Sequence, residues 1–278
     1  MAFDAGVMAS HMLFDFHLRP VEEIQPWGEP PNQTLHWFGL TDGFYRLQVG
    51  RDLLFHYSDG IRKYWTAQYP HFSGEYVEYQ VVRLWEDVLS ILQDVLCPLP
   101  LELERLIMDE DSSLREWYAS ALLWLDRQDD TVVEERLVDV FDMATSWVNK
   151  RRLDSAYLQP AAHIWLWSTR DAVTVTWDNR GVAVEGHEAW SAQRGHYSMP
   201  RDDFLAEVDA FDRQFIERMG DRINEVSSAW DRPDVALDPE LLRREQIRRA
   251  GHLQRTLSKK LPFTDWQQVL RSIHELSG

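Results

Sequence analysis

The chain has 278 residues, 44 % of them hydrophobic, with 13 Trp, 12 Phe and 9 Tyr and a formal net charge of −17. That aromatic content argues against disorder, because it supplies enough apolar surface to offset chain entropy. No apolar run approaches the ~20 residues of a membrane helix, and a single cysteine, Cys97, excludes an internal disulfide or multi-thiolate metal site in one chain. Charge is uneven. Residues 239–278 hold eight Lys/Arg against four acids, net +4, so the remainder carries −21. Such a body repels a phosphate backbone, which excludes nucleic acid as a general partner and favours a basic protein. The same charge also serves solubility alone.

Residues 1–12 (MAFDAGVMASHM) lack Lys, Arg and an apolar centre, so they do not read as a signal peptide. Ser10-His11-Met12 reads as a cloning remnant, and 1–12 is set aside as a leader. From Leu13, Phe14, Phe16 and Leu18 alternate with Asp15 and His17, predicting a strand that Pro20 ends. Residues 35–40, 44–49 and 53–58 predict three more strands, with turns at Thr41-Asp42-Gly43 and Gly50-Arg51-Asp52. Residues 59–80 are aromatic and show no clear period.

The middle of the chain reads as helical. Leu84, Trp85, Val88, Leu89, Leu92 and Val95 recur at three and four, up to a stop at Cys97-Pro98. A helix near 100–108 ends at Asp109-Glu110-Asp111. Ser113 with Glu116, and Thr131 with Glu134, are capping boxes that open two more. After Pro160 the period returns to two. His163 to Trp167, Val173 to Trp177, Val182 to Val184 and Trp190 to Ser198 predict a second meander. Pro200, at a first helical position, opens a long helix with the stripe Phe204, Val208, Phe211, Phe215, Met219, Ile223 and Val226. Asp238-Pro239 and Thr264 with Gln267 open the last two. The class is α+β, with antiparallel meanders over about 13–58 and 163–198, each followed by helices. Two units, 13–150 and 151–278, are one organisation and a single globular domain is the other. The meanders stand apart or share a sheet.

No GxxxxGK[ST], HExxH, GxSxG, CxxC or helix-opening GxGxxG is present. The catalytic candidates are therefore His163, Asp178, His187 and His196 in the second meander, since imidazole and carboxylate exchange protons near neutral pH. The competing reading makes them hydrogen-bonded histidines on an aromatic sheet. No metal set and no cofactor are nominated. His36 among large apolar neighbours reads as structural, and the 109–111 acids as a solvated helix end. Cys97 at a helix C-terminus is not a nucleophile, because the helix dipole raises its thiol pKa. The basic stretch Arg243 to Lys260 is expected to dock on the chain's own acidic body. Trp27, Trp37 and Trp65 are candidates for an aromatic ligand pocket. Trp165 and Trp167 share one strand face and are the candidate partner surface.

The opening F-x-F-x-L-x-P-x-E-E-I-x-P-W-G (14–28), the block LHWFGLTDG (35–43) and the run VTWDNR (175–180) resemble a bacterial family known as a domain of unknown function. The resemblance covers roughly 13–230. It implies a bacterial, cytoplasmic protein and supplies no catalytic residues. The leading expectation is an acidic interaction protein, in its sharper form an immunity-type protein that neutralises a basic partner. The alternatives are an enzyme using the second-meander residues and a small-ligand sensor with an aromatic pocket. Oligomeric state does not follow from the sequence.

Overall fold

The computed structural model describes residues 13–69, 74–108, 114–127 and 135–277. The first meander begins with β1 (Phe14–Leu18), then the short β2 (Gln33–Thr34), β3 (Asp42–Val49) and β4 (Asp52–Leu54). Helix α1 (Asp59–Gln68) and strand β5 (Val77–Gln80) follow. β3 is central. It pairs antiparallel with β1 on one edge, while β4 and β5 share its other edge end to end.

Several predicted features of this half differ: Asp42 and Gly43 begin β3 rather than form a turn, and the strand expected over 53–58 is confined to Asp52–Leu54. Residues 35–41 are not a strand but a turn that ends in a 3-10 segment, Gly39–Thr41. The His36 imidazole Nδ1 accepts from the Gly39 N–H at 3.2 Å, and Leu40 N–H donates to the His36 carbonyl. These local bonds satisfy the backbone without a sheet partner, and the turn sinks Trp37 and Leu40 into the core. The aperiodic stretch 59–80 divides into α1 and β5. Ser58 caps α1, its hydroxyl accepting from Ile61 N–H.

Four helices then follow: α2 (Val81–Val95), α3 (Leu101–Met108), α4 (Leu114–Asp126) and α5 (Glu135–Asn149). Asp109-Glu110-Asp111, Ser113, Thr131 and Glu134 lie outside the described residues. The second meander has β6 (Ile164–Ser168), β7 (Ala172–Asp178), the small hairpin β8 (Ala183–Val184) and β9 (His187–Glu188), and β10 (Arg194–Pro200). Its sheet has the antiparallel order β10-β7-β6, separate from the first. An isolated bridge, Tyr57 to Trp190, links the two regions. Pro200 sits at the N-cap of α6 (Arg201–Ala229) rather than inside it. Then come β11 (Val235–Ala236), which pairs with β2, and α7 (Pro239–Ala250), α8 (His252–Leu257) and α9 (Trp266–Ser277). Asp238 caps α7 through bonds from Glu240 and Leu241 N–H. At α9 the capping side chain is Asp265, which accepts from Gln268 N–H at 3.0 Å, one residue beyond the predicted Thr264.

One buried cluster draws on both meanders, on α2 and on α6. It includes Phe14, Tyr45, Leu47, Trp85, Leu92, Leu166, Val175, Phe211 and Phe215. A second cluster joins α3, α4, α5 and α9 to Trp165 and Trp167. The α+β class holds.

Gly43 lies between Leu18 of β1 and Tyr79 of β5. A Cβ there would stand 2.0 Å from the His17 carbonyl oxygen, and backbone cannot yield as a flexible side chain would. Gly43→Ala is expected to destabilise by about 3 kcal/mol, read as a lowered urea midpoint. An unchanged midpoint would show that β1 does not depend on this close approach.

Candidate functional site

The antiparallel register of β6, β7 and β10 aligns side chains in cross-strand rows on one face. Trp165 is opposite Thr176, which is opposite His196. Trp167 is opposite Thr174, which is opposite Ser198, and the Thr174 and Ser198 hydroxyls bond at 2.8 Å. At the end of the sheet Asp178 N–H donates to the His163 carbonyl and Asp178 faces Arg194. Three of the four catalytic candidates, His163, Asp178 and His196, therefore share a face. His187 is elsewhere: it is exposed on β9, with its ring 5.3 Å from Tyr64 of α1.

A cavity of about 380 Å³ opens on this face. Trp165, Thr176 and His196 form its floor, with Asp178 and Arg194 at one side. Ile107 and Met108 at the end of α3 and Leu114 at the start of α4 make an apolar wall. Gly195 lets the Trp177 ring lie against β10, since a Cβ there would meet that ring at 2.4 Å. Asp178 is held by Arg180, whose Nε and Nη2 donate at 2.9 and 2.8 Å, a two-pronged bond that fixes the carboxylate. Arg180 also reaches Glu116 of α4 at 3.4 Å.

Three residues of the lining carry a buried polar atom that finds no protein partner: Trp165 Nε1, Thr176 Oγ1 and Trp177 Nε1. These residues are 4 %, 8 % and 3 % exposed. A buried donor or hydroxyl left without a bond costs about 1–3 kcal/mol. His163 stacks on Trp165 at 6.1 Å and its Nδ1 accepts from Arg152 Nη2 at 3.2 Å. Burial, then the Arg152 and Arg115 charges, push its pKa down to about 4, so the ring is neutral at pH 7. Among the described residues, no group of three or more His, Cys, Asp or Glu is placed to hold a metal ion.

The aromatic candidates separate by burial. Trp165 and Trp167 do not form an exposed partner surface, because α3, α4, α5 and α9 cover their face. Trp37 is fully buried; its indole N–H donates to Gln246 at 2.9 Å and the Arg249 guanidinium lies 4.2 Å over its ring. Arg249 also pairs with Glu86 at 2.6 Å, which ties the basic stretch to the body. Trp27 is 47 % exposed against His36 and Phe38. Trp65 is half-buried in a separate aromatic cavity.

Sequence reading did not single out a buried chain from Tyr45 through Tyr157 to Asp87. Tyr45 donates to Tyr157 at 3.2 Å, and Tyr157 donates to Asp87 at 2.8 Å. Burial raises the Asp87 pKa to about 7 against the opposing pull of that bond. Burial also raises both tyrosines, which stay protonated donors. Asp87 sits on the apolar face of α2, a visible anomaly in the helical period, but its tyrosine partners come from distant segments.

The two shifted groups act on stability with opposite sign. His163 binds its proton more weakly folded than unfolded, so its contribution is complete above about 6.5 and is lost as pH falls towards 4. Asp87 binds its proton more tightly folded, so its contribution is complete below the ordinary carboxyl range and is lost as pH rises through 7. His163→Gln is expected to raise the urea midpoint relative to wild type as pH falls from 6.5 to 4.5. Asp87→Asn is expected to raise it relative to wild type at pH 8 but not at pH 5. Parallel pH curves for wild type and variant would refute the assignment for that residue.

Among the described residues, no helix is long and apolar enough to cross a membrane. No curated protein and no solved structure matches the chain. A family model, described as a family of unknown function (DUF5984), matches residues 13–272 and so extends through α7, α8 and most of α9. Meanders, α2 to α5 and cavity all lie within that match, and the chain belongs to this family of unknown function.

Proposed function

We propose that the protein binds a small planar molecule bearing a carboxylate or carbonyl acceptor in the cavity over β6, β7 and β10. The observation that carries this reading is the group of unpartnered buried atoms on lining residues, Trp165 Nε1, Thr176 Oγ1 and Trp177 Nε1. An acceptor that reached these atoms would recover lost bonds, and Arg194 with His196 supplies donors at the side. Ile107, Met108 and Leu114 would cover the ligand's apolar edge. The role is binding rather than turnover, because the Asp178 carboxylate is already occupied by Arg180 and His187 lies outside the cavity.

The net charge of −17 supports a second reading, capture of a basic protein partner of the immunity type. Its expected aromatic anchors Trp165 and Trp167 are buried, so that reading rests on charge alone. The resemblance noted from the sequence supports a bacterial cytoplasmic setting for either.

Calorimetric titration with benzoate and indole-3-carboxylate tests the small-molecule reading. Saturable binding is expected, weakened about tenfold, or ~1.4 kcal/mol, by Arg194→Gln. Thr176→Val is expected to weaken binding without lowering the stability of the free protein, because the hydroxyl it removes has no partner there. No saturable heat with either carboxylate up to millimolar concentration would overturn the proposal.

A further inference from the structure

A second cavity, of about 270 Å³, lies between α1 and β5, made of different residues from the sheet cavity. Its lining is Tyr57, Trp65, Tyr69, Tyr76 and Glu78, four aromatic rings and one carboxylate with no cationic side chain among them. Tyr57 and Trp65 meet with ring centroids 4.8 Å apart and planes at 88°, a right-angled corner of two walls. That corner is rigid at its back. Tyr57 stacks on the buried Trp190 at 5.1 Å and 15°, and its backbone bridges to the same residue. Tyr76 is set by Arg46, whose guanidinium lies 4.8 Å over the ring and which is itself balanced by Asp15 at 2.8 Å. Tyr69 stands at the mouth, 63 % exposed, an unusual position for a large aromatic with no other assigned role.

Aromatic faces carry negative quadrupole charge, so walls meeting at right angles surround a cation with attractive surface on several sides. A simple ammonium would have to give up hydration here, with only the tyrosine hydroxyls and Glu78, already shared with Arg19, among the described lining residues to replace the lost hydrogen bonds. A methylated ammonium has little hydration to lose and its methyl groups pack on the rings. Glu78, an exposed member of the lining, supplies negative charge and is shared with Arg19 at 2.9 Å, which holds it in place. The surrounding chain, at −17, adds attraction for a cation at longer range.

We propose that the cavity of Tyr57, Trp65, Tyr69, Tyr76 and Glu78 is a binding site for a quaternary, methylated ammonium group. The group arrives on a free small molecule or on a trimethylated lysine of a peptide, and the chemistry that recognises it is the same. The site is independent of the acceptor-binding cavity, and failure of either leaves the other standing.

The test is titration of the full chain with choline and with 3,3-dimethylbutan-1-ol, which replaces the charged nitrogen by carbon at the same shape. Choline is expected to bind at least tenfold more tightly. Tyr69→Leu, at an exposed position that leaves the fold intact, is expected to weaken choline several-fold, and Glu78→Gln to weaken it further as salt is lowered. A trimethyl-lysine peptide run beside its unmodified form assigns the source: tighter than choline points to a peptide, weaker to a free amine. Equal binding of choline and the neutral alcohol, or no binding of choline and of the trimethylated peptide, would overturn the proposal.

Discussion

Helix α6 is the element on which the rest of the structure depends, and a few polar bonds fix where it lies. Its 29 residues span about 43 Å at 1.5 Å per residue. An apolar stripe alone would let such a helix slide or rotate by a residue at modest cost. Buried tethers prevent this. Glu207 accepts from the backbone N–H of Leu13 at 2.7 Å, and Asp212 accepts from the Trp85 indole at 2.9 Å. Arg222 donates to the carbonyls of Leu40 and Arg19, and the Ile216 carbonyl accepts from Gln246. Each bond is modest in net terms, but breaking one strands a buried polar group at about 1–3 kcal/mol. A one-residue slip would break all of them together. β1, α2, the 35–41 turn and α7 thus take their positions from one helix, which continues directly from β10 and ties the second meander to the same frame.

That arrangement also explains why a cavity opens where it does. Leu166, Val175 and Trp177 on one face of the second sheet join the cluster that contains the α6 stripe. The other face, with Trp165 and Trp167, must be covered by something else, and α3, α4, α5 and α9 supply a smaller cluster. Trp167 is buried under this cover, whereas towards His196 and Asp178 the described apolar residues that line the opening are Ile107, Met108 and Leu114. The sheet cavity is the gap between a cover built from short helices and a sheet that extends past it.

Much of this was legible in the residues, for physical reasons that differ from element to element. The period of α2 and α6 is unambiguous because one face of each is apolar over several turns. The strand character of β6 and β7 is clear, but all five residues of β6 are buried, and a strand covered on both faces carries no polar alternation to tell which side is wet. The exposed Trp face expected there failed for that reason, since its cover comes from helices far away in the chain. Residues 35–40 carry a strand-like composition, yet His36 makes the local bond that bends them into a turn. His163, Asp178 and His196 share a face because register puts His163, Asp178 and Arg194 in one row and His196 in the next, with Thr176 and Trp165, a property of register rather than of spacing. Tyr57, Trp65, Tyr69 and Tyr76 stood in a stretch with no readable period, and only the fold of α1 against β5 turns them into walls.

The two cavities make opposite electrostatic demands inside one acidic chain. Net charge acts at distances comparable to the Debye length, about 8 Å at physiological salt, and so it governs approach more than seating. In the sheet cavity, Arg194 and His196 stand beside a single carboxylate, Asp178, that Arg180 clasps, so an acceptor at the floor meets local donors despite the acidic surroundings. In the aromatic cavity the same surroundings act with the rings and Glu78, with no basic side chain among the described lining residues and with Arg46, over the Tyr76 ring, balanced by Asp15. Selection at each proposed site is therefore local and set by a handful of atoms, while the −17 of the whole chain slows the approach of an anion and speeds that of a cation. A surface charge that looks like the signature of one partner is compatible with ligands of either sign, because burial decouples the charge of a site from the charge of the body around it.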